Sequence, residues 1–160
     1  MFGGQFTDHH LAVYNRVTAP TDNGRFIGVT EGTGPGTARF ALGRQEDNFM
    51  LDGPMNGCGP SLADNVSGDF QGFLGGSRGS DGFYTVTRSS ITLRPWWCAA
   101  EKNPTQNVFV LARNLQGSPA NYTTANLAFA SFGWGFTSNQ LYQLRAAVNA
   151  YQAMLERQVP

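Results

Sequence analysis

Trp96 and Trp97 stand side by side, with Glu101, Lys102 and Asn103 a few residues on. A flat aromatic covers the apolar face of a pyranose ring, and amide and carboxylate groups take its hydroxyls. Presented on a loop, Trp96, Trp97, Glu101 and Asn103 are therefore the candidate residues for holding a sugar. The competing use puts one tryptophan in the core and the other in a subunit interface, where aromatics are enriched, and that use is the favoured one. Trp134, in the turn ahead of a helix, reads as a packing residue beneath it.

Catalysis finds little to work with. A glycoside hydrolase needs two carboxylates across the sugar from one another, commonly at alternating positions of one strand. Glu31, Glu46, Glu101 and Glu156 are the only glutamates, and none sits in such an alternation. Glu46 and Asp47 are adjacent, so they would face opposite sides of a strand. A serine triad has only His9 and His10 as imidazoles, and no G-x-S-x-G elbow occurs. No catalytic residue is assigned, and an enzyme is not expected.

Metal chemistry is equally thin. Cys58 and Cys98 are too far apart for a close ligand pair, and His9 and His10 are adjacent rather than spaced along one face. Asp22, Asp47, Asp52, Asp64 and Asp81 lie in loop-like sequence without the dense alternation of a calcium loop, and they read as Asx-turn caps. No metal and no cofactor is expected. The cysteines read as thiols that behave as small buried hydrophobes rather than as a disulfide. Asn121-Tyr122-Thr123 matches a glycosylation acceptor, but nothing argues for the secretory route that this would need.

Composition narrows the class. The 160 residues fit one domain, large enough for a core without metal or disulfide support. Charged residues are 14%, with 20 Gly and 12 Phe, where an ordinary soluble domain has roughly 25% charged residues. That profile is rich in strands and turns and suits a surface meant to be covered in an assembly. Net charge is zero and Lys102 is the one lysine among 11 basic residues, so no stripe is available for a phosphate backbone. Nucleic acid is not an expected partner. No apolar run approaches the roughly 20 residues of a membrane span, and MFGGQFTDHH lacks the regions of a secretory leader. A soluble protein without an export signal is expected.

The elements that must position these residues follow from periodicity. Residues 10–17 (HLAVYNRV) alternate Leu11, Val13, Asn15 and Val17 against His10, Ala12, Tyr14 and Arg16, the period of a half-buried strand. Residues 25–30 form a second run, and Pro20, Asp22, Asn23 and Gly24 between them predict a hairpin. Strands are expected over 37–43 and 48–51, then a long loop over 52–68. Further strands are expected over 69–78, 82–88 and 90–94, with a second irregular stretch from Pro95 to Pro104. Residues 107–113 and 126–132 are dense apolar runs that read as central strands. Eight or so short strands with turns between them argue for two packed antiparallel sheets.

The chain closes on an amphipathic helix, about 138–157. Leu141, Leu144, Val148, Tyr151 and Leu155 recur at spacings of three and four and fall on one face. Thr137 is a good N-cap, Gln140 completes a capping box, and Phe136 and Leu141 are placed for a hydrophobic staple. Arg157 suits the C-terminal end. One apolar stripe means one buried side, so the helix packs on something larger.

Taken in order, HLAVYNR (10–16), GFLGGSR (72–78), NVFVLARN (107–114) and the block NLAFASFGWGFTSNQLYQLRAAVNAYQAMLERQV (126–159) resemble the concanavalin-like or laminin-G-like domains at the ends of tailed-phage tail, fibre and appendage proteins. In such proteins the last block is a strand, a turn and a helix. The resemblance implies a single lectin-like domain over 1–160, an antiparallel two-sheet jelly roll with one C-terminal helix. It further implies a non-enzymatic virion protein, assembled in the bacterial cytoplasm and displayed as a capsid decoration, fibre or tail component. Its expected partners are capsid or tail subunits, its own copies, and host-surface glycan as an added capacity. A dedicated carbohydrate-binding adhesin is the alternative, and a glycoside hydrolase is less favoured than either. Two departures stand out. Family members continue upstream with further strands and an attachment region, so the chain either docks through its own faces or receives a first strand from a partner. The Trp-rich stretch 94–104 is also foreign to the family pattern.

Overall fold

The computed structural model describes residues 8–17, 24–31, 39–45, 48–52, 62–64, 70–79, 83–88, 91–97, 105–157 and 159. The protein is mainly β, with two sheets and one C-terminal helix. Strand β1, His9–Asn15, organises it. Leu11 and Val13 lie on one side of this strand and Ala12 and Tyr14 on the other, and all four are at most 1% exposed. Leu11 and Val13 join Phe26, Ile27, Val29, Leu42, Leu74 and Val86 in a core between the sheets. Ala12 and Tyr14 join Phe73, Leu141 and Val148 in a second core beneath the helix. The period of two in HLAVYN thus feeds two separate cores. The strand is buried on both faces, not half-buried, because the helix covers the side that would otherwise meet water.

The remaining strands are β2 (Arg25–Thr30), β3 (Arg39–Gln45), β4 (Asn48–Asp52), β5 (Leu62–Asp64), β6 (Gly72–Arg78), β7 (Phe83–Arg88), β8 (Ile91–Trp97), β9 (Phe109–Val110), β10 (Arg113–Leu115), β11 (Ser118–Ala120) and β12 (Leu127–Gly133); helix α1 is Ser138–Met154. One sheet runs β12-β1-β6-β7-β8 and is antiparallel throughout. The other runs β11-β10-β2-β3-β4-β5, with β9 also on β2. Its β2, β3 and β4 follow the predicted runs 25–30, 37–43 and 48–51 and pair in that order.

Several expectations are corrected. β1 and β2 do not form a hairpin: β1 is held between β12 and β6, and β2 pairs with β3, β9 and β10 in the other sheet. Both edges of β1 are taken by strands distant in sequence, so the chain crosses between sheets after Asn15. Residues 107–113 are not one central strand. Leu111 adopts φ +63°, the left-handed region that reverses a chain. As a result β9 runs antiparallel to β2 while β10 runs parallel to it. The second sheet is therefore mixed rather than antiparallel. Residues 127–133 form an edge strand of their sheet, not a central one. A short strand, β5, interrupts the expected 52–68 loop and pairs with β4.

β8 also runs on through Pro95 to Trp97, where an irregular stretch is expected. Tyr84 pairs with Trp96 and Val86 with Leu93, leaving Arg94 and Pro95 against Thr85. Proline lacks a donor N–H, so within a sheet it belongs on an edge or at a bulge, and here it has both. Between β10 and β11 sits a hairpin with no counterpart in the predicted elements. Gln116 and Gly117 have φ +53° and +92°, a two-residue loop of the primed kind that matches strand twist.

Helix α1 begins as predicted. The Gln140 N–H donates to Thr137 Oγ1 at 3.3 Å and the Thr137 N–H donates to Gln140 Oε1 at 2.9 Å, closing the capping box. Phe136 packs in the same core as Leu141, as the staple requires. The far end differs. The buried residues are Leu141, Val148 and Gln152, whereas Tyr151 is 57% exposed and Leu155 39%. The helix lies on β6 and β7 along the line that 152, not 151, continues. It stops at Met154 rather than 157. Glu156, at φ +54°, donates its N–H to Ala153 O, and Arg157 donates to Gln152 O, the paired bonds of a Schellman end.

Candidate functional site

The predicted sugar-binding residues divide. Trp96 and Trp97 close β8, the edge strand at one end of the five-stranded sheet, in register with Tyr84 and Phe83. They therefore stand on a strand, not in a loop. Glu101 and Asn103 lie outside the described residues, as do Cys58, Cys98, Asp22, Asp47, Glu46, Asp81 and Lys102. Asp52 and Asp64 are the last residues of β4 and β5 rather than loop residues. Glu31 follows β2 and is engaged structurally, accepting from the backbone N–H and the hydroxyl of Thr105. Among the described residues no three His, Cys, Asp or Glu side chains gather to hold a metal ion, and no helix is long and apolar enough to cross a membrane.

Among the described residues a polar constellation lies elsewhere, where the ends of β1, β6 and β12 meet the turn into α1. His10 stands opposite Gly133 in the β1–β12 register. Its Nδ1 is 2.6 Å from Trp134 O and its Nε2 is 2.8 Å from Ser131 Oγ. A carbonyl only accepts, so Nδ1 carries the ring proton and Nε2 accepts from the serine hydroxyl. The ring stacks on Phe136 at 4.1 Å between centroids. Burial holds the His10 pKa below 6.5, the bond to the Trp134 carbonyl pulling the other way. The imidazole is therefore kept neutral.

Ser77 completes this corner from β6. Its hydroxyl donates to Phe136 O at 2.8 Å and accepts from the Phe136 N–H at 2.6 Å, satisfying both backbone groups of the residue before the N-cap. Further along, Thr85 Oγ1 meets Ser138 Oγ at 2.7 Å and Arg145 Nη1 donates to Thr87 Oγ1 at 3.1 Å. Ser77, Thr85 and Thr87 share the helix-facing side of β6 and β7, because Ser77 pairs with Thr85 and Gly75 with Thr87. A polar rim thus borders the apolar core beneath the helix and fixes where the helix sits.

In chemical terms an imidazole with Nδ1 pinned and Nε2 on a hydroxyl is the arrangement that activates a serine nucleophile. Here the ring is only 5% exposed and lies against Phe136, and the group that orients it is a carbonyl rather than a carboxylate. Its evident work is to tie the β12 turn to β1. Reasoning from sequence misses this pairing, since His10 and Ser131 are 121 residues apart. The one local signal is Gly135 in the turn after β12, where a Cβ would overlap the Arg78 carbonyl of β6 and crowd the His9 nitrogen of β1. Trp134 is corrected as well. Its carbonyl is used, but the residue is 62% exposed rather than packed beneath the helix.

Compared with family models, with curated proteins and with solved structures, the chain matches none.

Proposed function

We propose that this chain is a non-enzymatic, lectin-like jelly-roll module of a tailed-phage particle, a capsid decoration, fibre or tail-associated component whose sheets and loops contact capsid or tail subunits and its own copies. The observation that carries the reading is the closing block. Residues 126–159, the most specific part of the resemblance, form strand β12, a four-residue turn and helix α1 in that order. Two sheets packed over a common core are in keeping with it. So are the exposed large apolar residues Phe132, Trp134, Tyr122 and Met154, which suit a surface that meets other proteins. The test is to purify particles from the host carrying this coding sequence and probe them with an antibody to the chain. Label at discrete positions on the particle supports the role, and particles that lack the chain while it accumulates free in the lysate refute it.

One observation favours the dedicated carbohydrate-binding adhesin as a second reading: Trp96 and Trp97 share the end of an edge strand. Glycan-array binding lost in the Trp96→Ala, Trp97→Ala double variant, with an unchanged melting temperature, would favour that reading. No binding by the parent chain would remove it.

A further inference from the structure

We propose that two copies of the chain join through β12, antiparallel about a two-fold axis at Ala130, so that their five-stranded sheets run on as one. The described residues define five sheet edges: β8, β12, β5, β11 and β9, the last only 2 residues long. A strand edge is a row of backbone donors and acceptors ready to pair, and proteins guard such edges with short strands, proline, charge or bulges. β5 and β11 have three residues each, and β11 contains Pro119. β8 carries Arg94 and Pro95 where its register slips. β12 has none of these guards over most of its length. It has seven residues, LAFASFG, with no charge and no proline, and its single irregularity lies at the start, between the pairs Tyr14↔Phe129 and Asn15↔Leu127.

A second copy is the occupant this edge suits. A neutral strand laid antiparallel on itself meets no like charge. A two-fold axis at Ala130 puts an exposed alanine opposite its own copy and Ser131 opposite Phe129, within the regular run 129–133. Phe132 is 49% exposed and Trp134, one residue past the strand, 62%, so apolar surface at the seam becomes covered. The contact is isologous and closes at two copies instead of growing into a filament. This sharpens the assembly reading above by naming the surface that joins copies, and it rests on that reading only for its purpose. A monomeric chain that still enters particles overturns the pairing alone.

The experiment is sedimentation equilibrium on the full chain with a charge-swap pair. Ala130 is exposed, so Ala130→Lys and Ala130→Glu fit a folded monomer yet place like charges face to face across the axis. The expected result is a dimeric parent chain, dissociation constants raised at least about tenfold (1.4 kcal/mol) in each variant, and dimers restored when the two variants are mixed. A monomeric parent, variants that dimerise like the parent, or a mixture that stays monomeric overturns the proposal. Hydrogen exchange on the parent checks it without substitution: amides of 127–133 slow as concentration rises through the dimer range, and rates independent of concentration overturn it.

Discussion

His10 Nε2 and Ser131 Oγ are 2.8 Å apart, while His10 Nδ1 reaches Trp134 O at 2.6 Å. Two points on β12 and the turn after it are thereby fastened to one side chain of β1. Both ring nitrogens are committed in the neutral tautomer, and the site has little water to solvate a positive charge. Proton uptake and the hold on this corner are therefore linked.

The consequence is a defined pH dependence. The His10 pKa is lowered by burial, while in the unfolded chain it sits near 6.5. Below about pH 6.5 the unfolded state binds the proton more readily than the folded state, so stability falls as pH falls and levels off only below the folded pKa. Above about pH 6.5 this histidine contributes no slope. His10→Asn keeps a donor for the Trp134 carbonyl but cannot titrate. Thermal melts from pH 7.5 to 5 should therefore show a steeper loss in the parent chain than in the variant, and equal slopes would remove His10 as the cause.

Ser77 and Ser131 carry unequal loads. Ser77 is 1% exposed and satisfies both the N–H and the C=O of Phe136, whereas Ser131 supplies one donor to His10. Ser131→Ala should cost about 1–2 kcal/mol and Ser77→Ala about 2–3 kcal/mol, because leaving a buried partner unsatisfied costs its desolvation. Urea midpoints on the two variants, at pH 8 where His10 is neutral in both states, test the order.

Gly135 is expected to be less replaceable than Gly75. A Cβ at Gly135 would overlap the carbonyl oxygen of Arg78 and crowd the backbone nitrogen of His9, and neither can yield without moving β6 or β1. A Cβ at Gly75 would instead meet the ends of two side chains, Phe73 at 2.8 Å and Leu141 at 3.3 Å. Gly75→Ala should cost about 1 kcal/mol and Gly135→Ala about 3 kcal/mol or more. Chemical denaturation of both variants gives the comparison, and equal losses would mean that the turn is free to shift.

The last turns of α1 can be improved. Gln152 is 1% exposed and its Oε1 is buried without a hydrogen-bond partner, so Gln152→Met, similar in shape, should stabilise by about 1 kcal/mol. Glu156 occupies the left-handed position of the Schellman end, and Glu156→Gly should add about 0.5–1 kcal/mol. Their effects are read as shifts in melting temperature. A loss for Gln152→Met would mean that the amide makes a contact methionine cannot replace.

The helix start is legible because everything that makes it lies within a span of six residues, Phe136 to Leu141. Its end is not, because the stripe through Tyr151 and Leu155 and the stripe through Gln152 have nearly the same period, and only the β6 and β7 surface decides between them. Most strand runs were visible as alternation. The break at Leu111 was not, since nothing about a leucine announces a positive φ. The continuation of β8 past Pro95 is not legible either, because proline ordinarily ends a strand and the bulge that admits it depends on the partner strand. Of the candidate sugar-binding residues, the tryptophans are singled out by residue type, and their place on an edge strand is not visible from their neighbours.

By itself the sequence determined the β-rich class, most of the strand runs and the capped C-terminal helix, because propensity, alternation and capping act between residues a few positions apart. Tertiary structure decided the rest: which strands neighbour which, that β1 is covered on both faces, that one sheet is mixed, and that His10 meets Ser131. Strand pairing is made by backbone groups common to every residue, so a strand's own sequence shows that it will pair and which faces are apolar. The partner is chosen only when both faces find cover, and for β1 that cover comes from another sheet and a helix far along the chain.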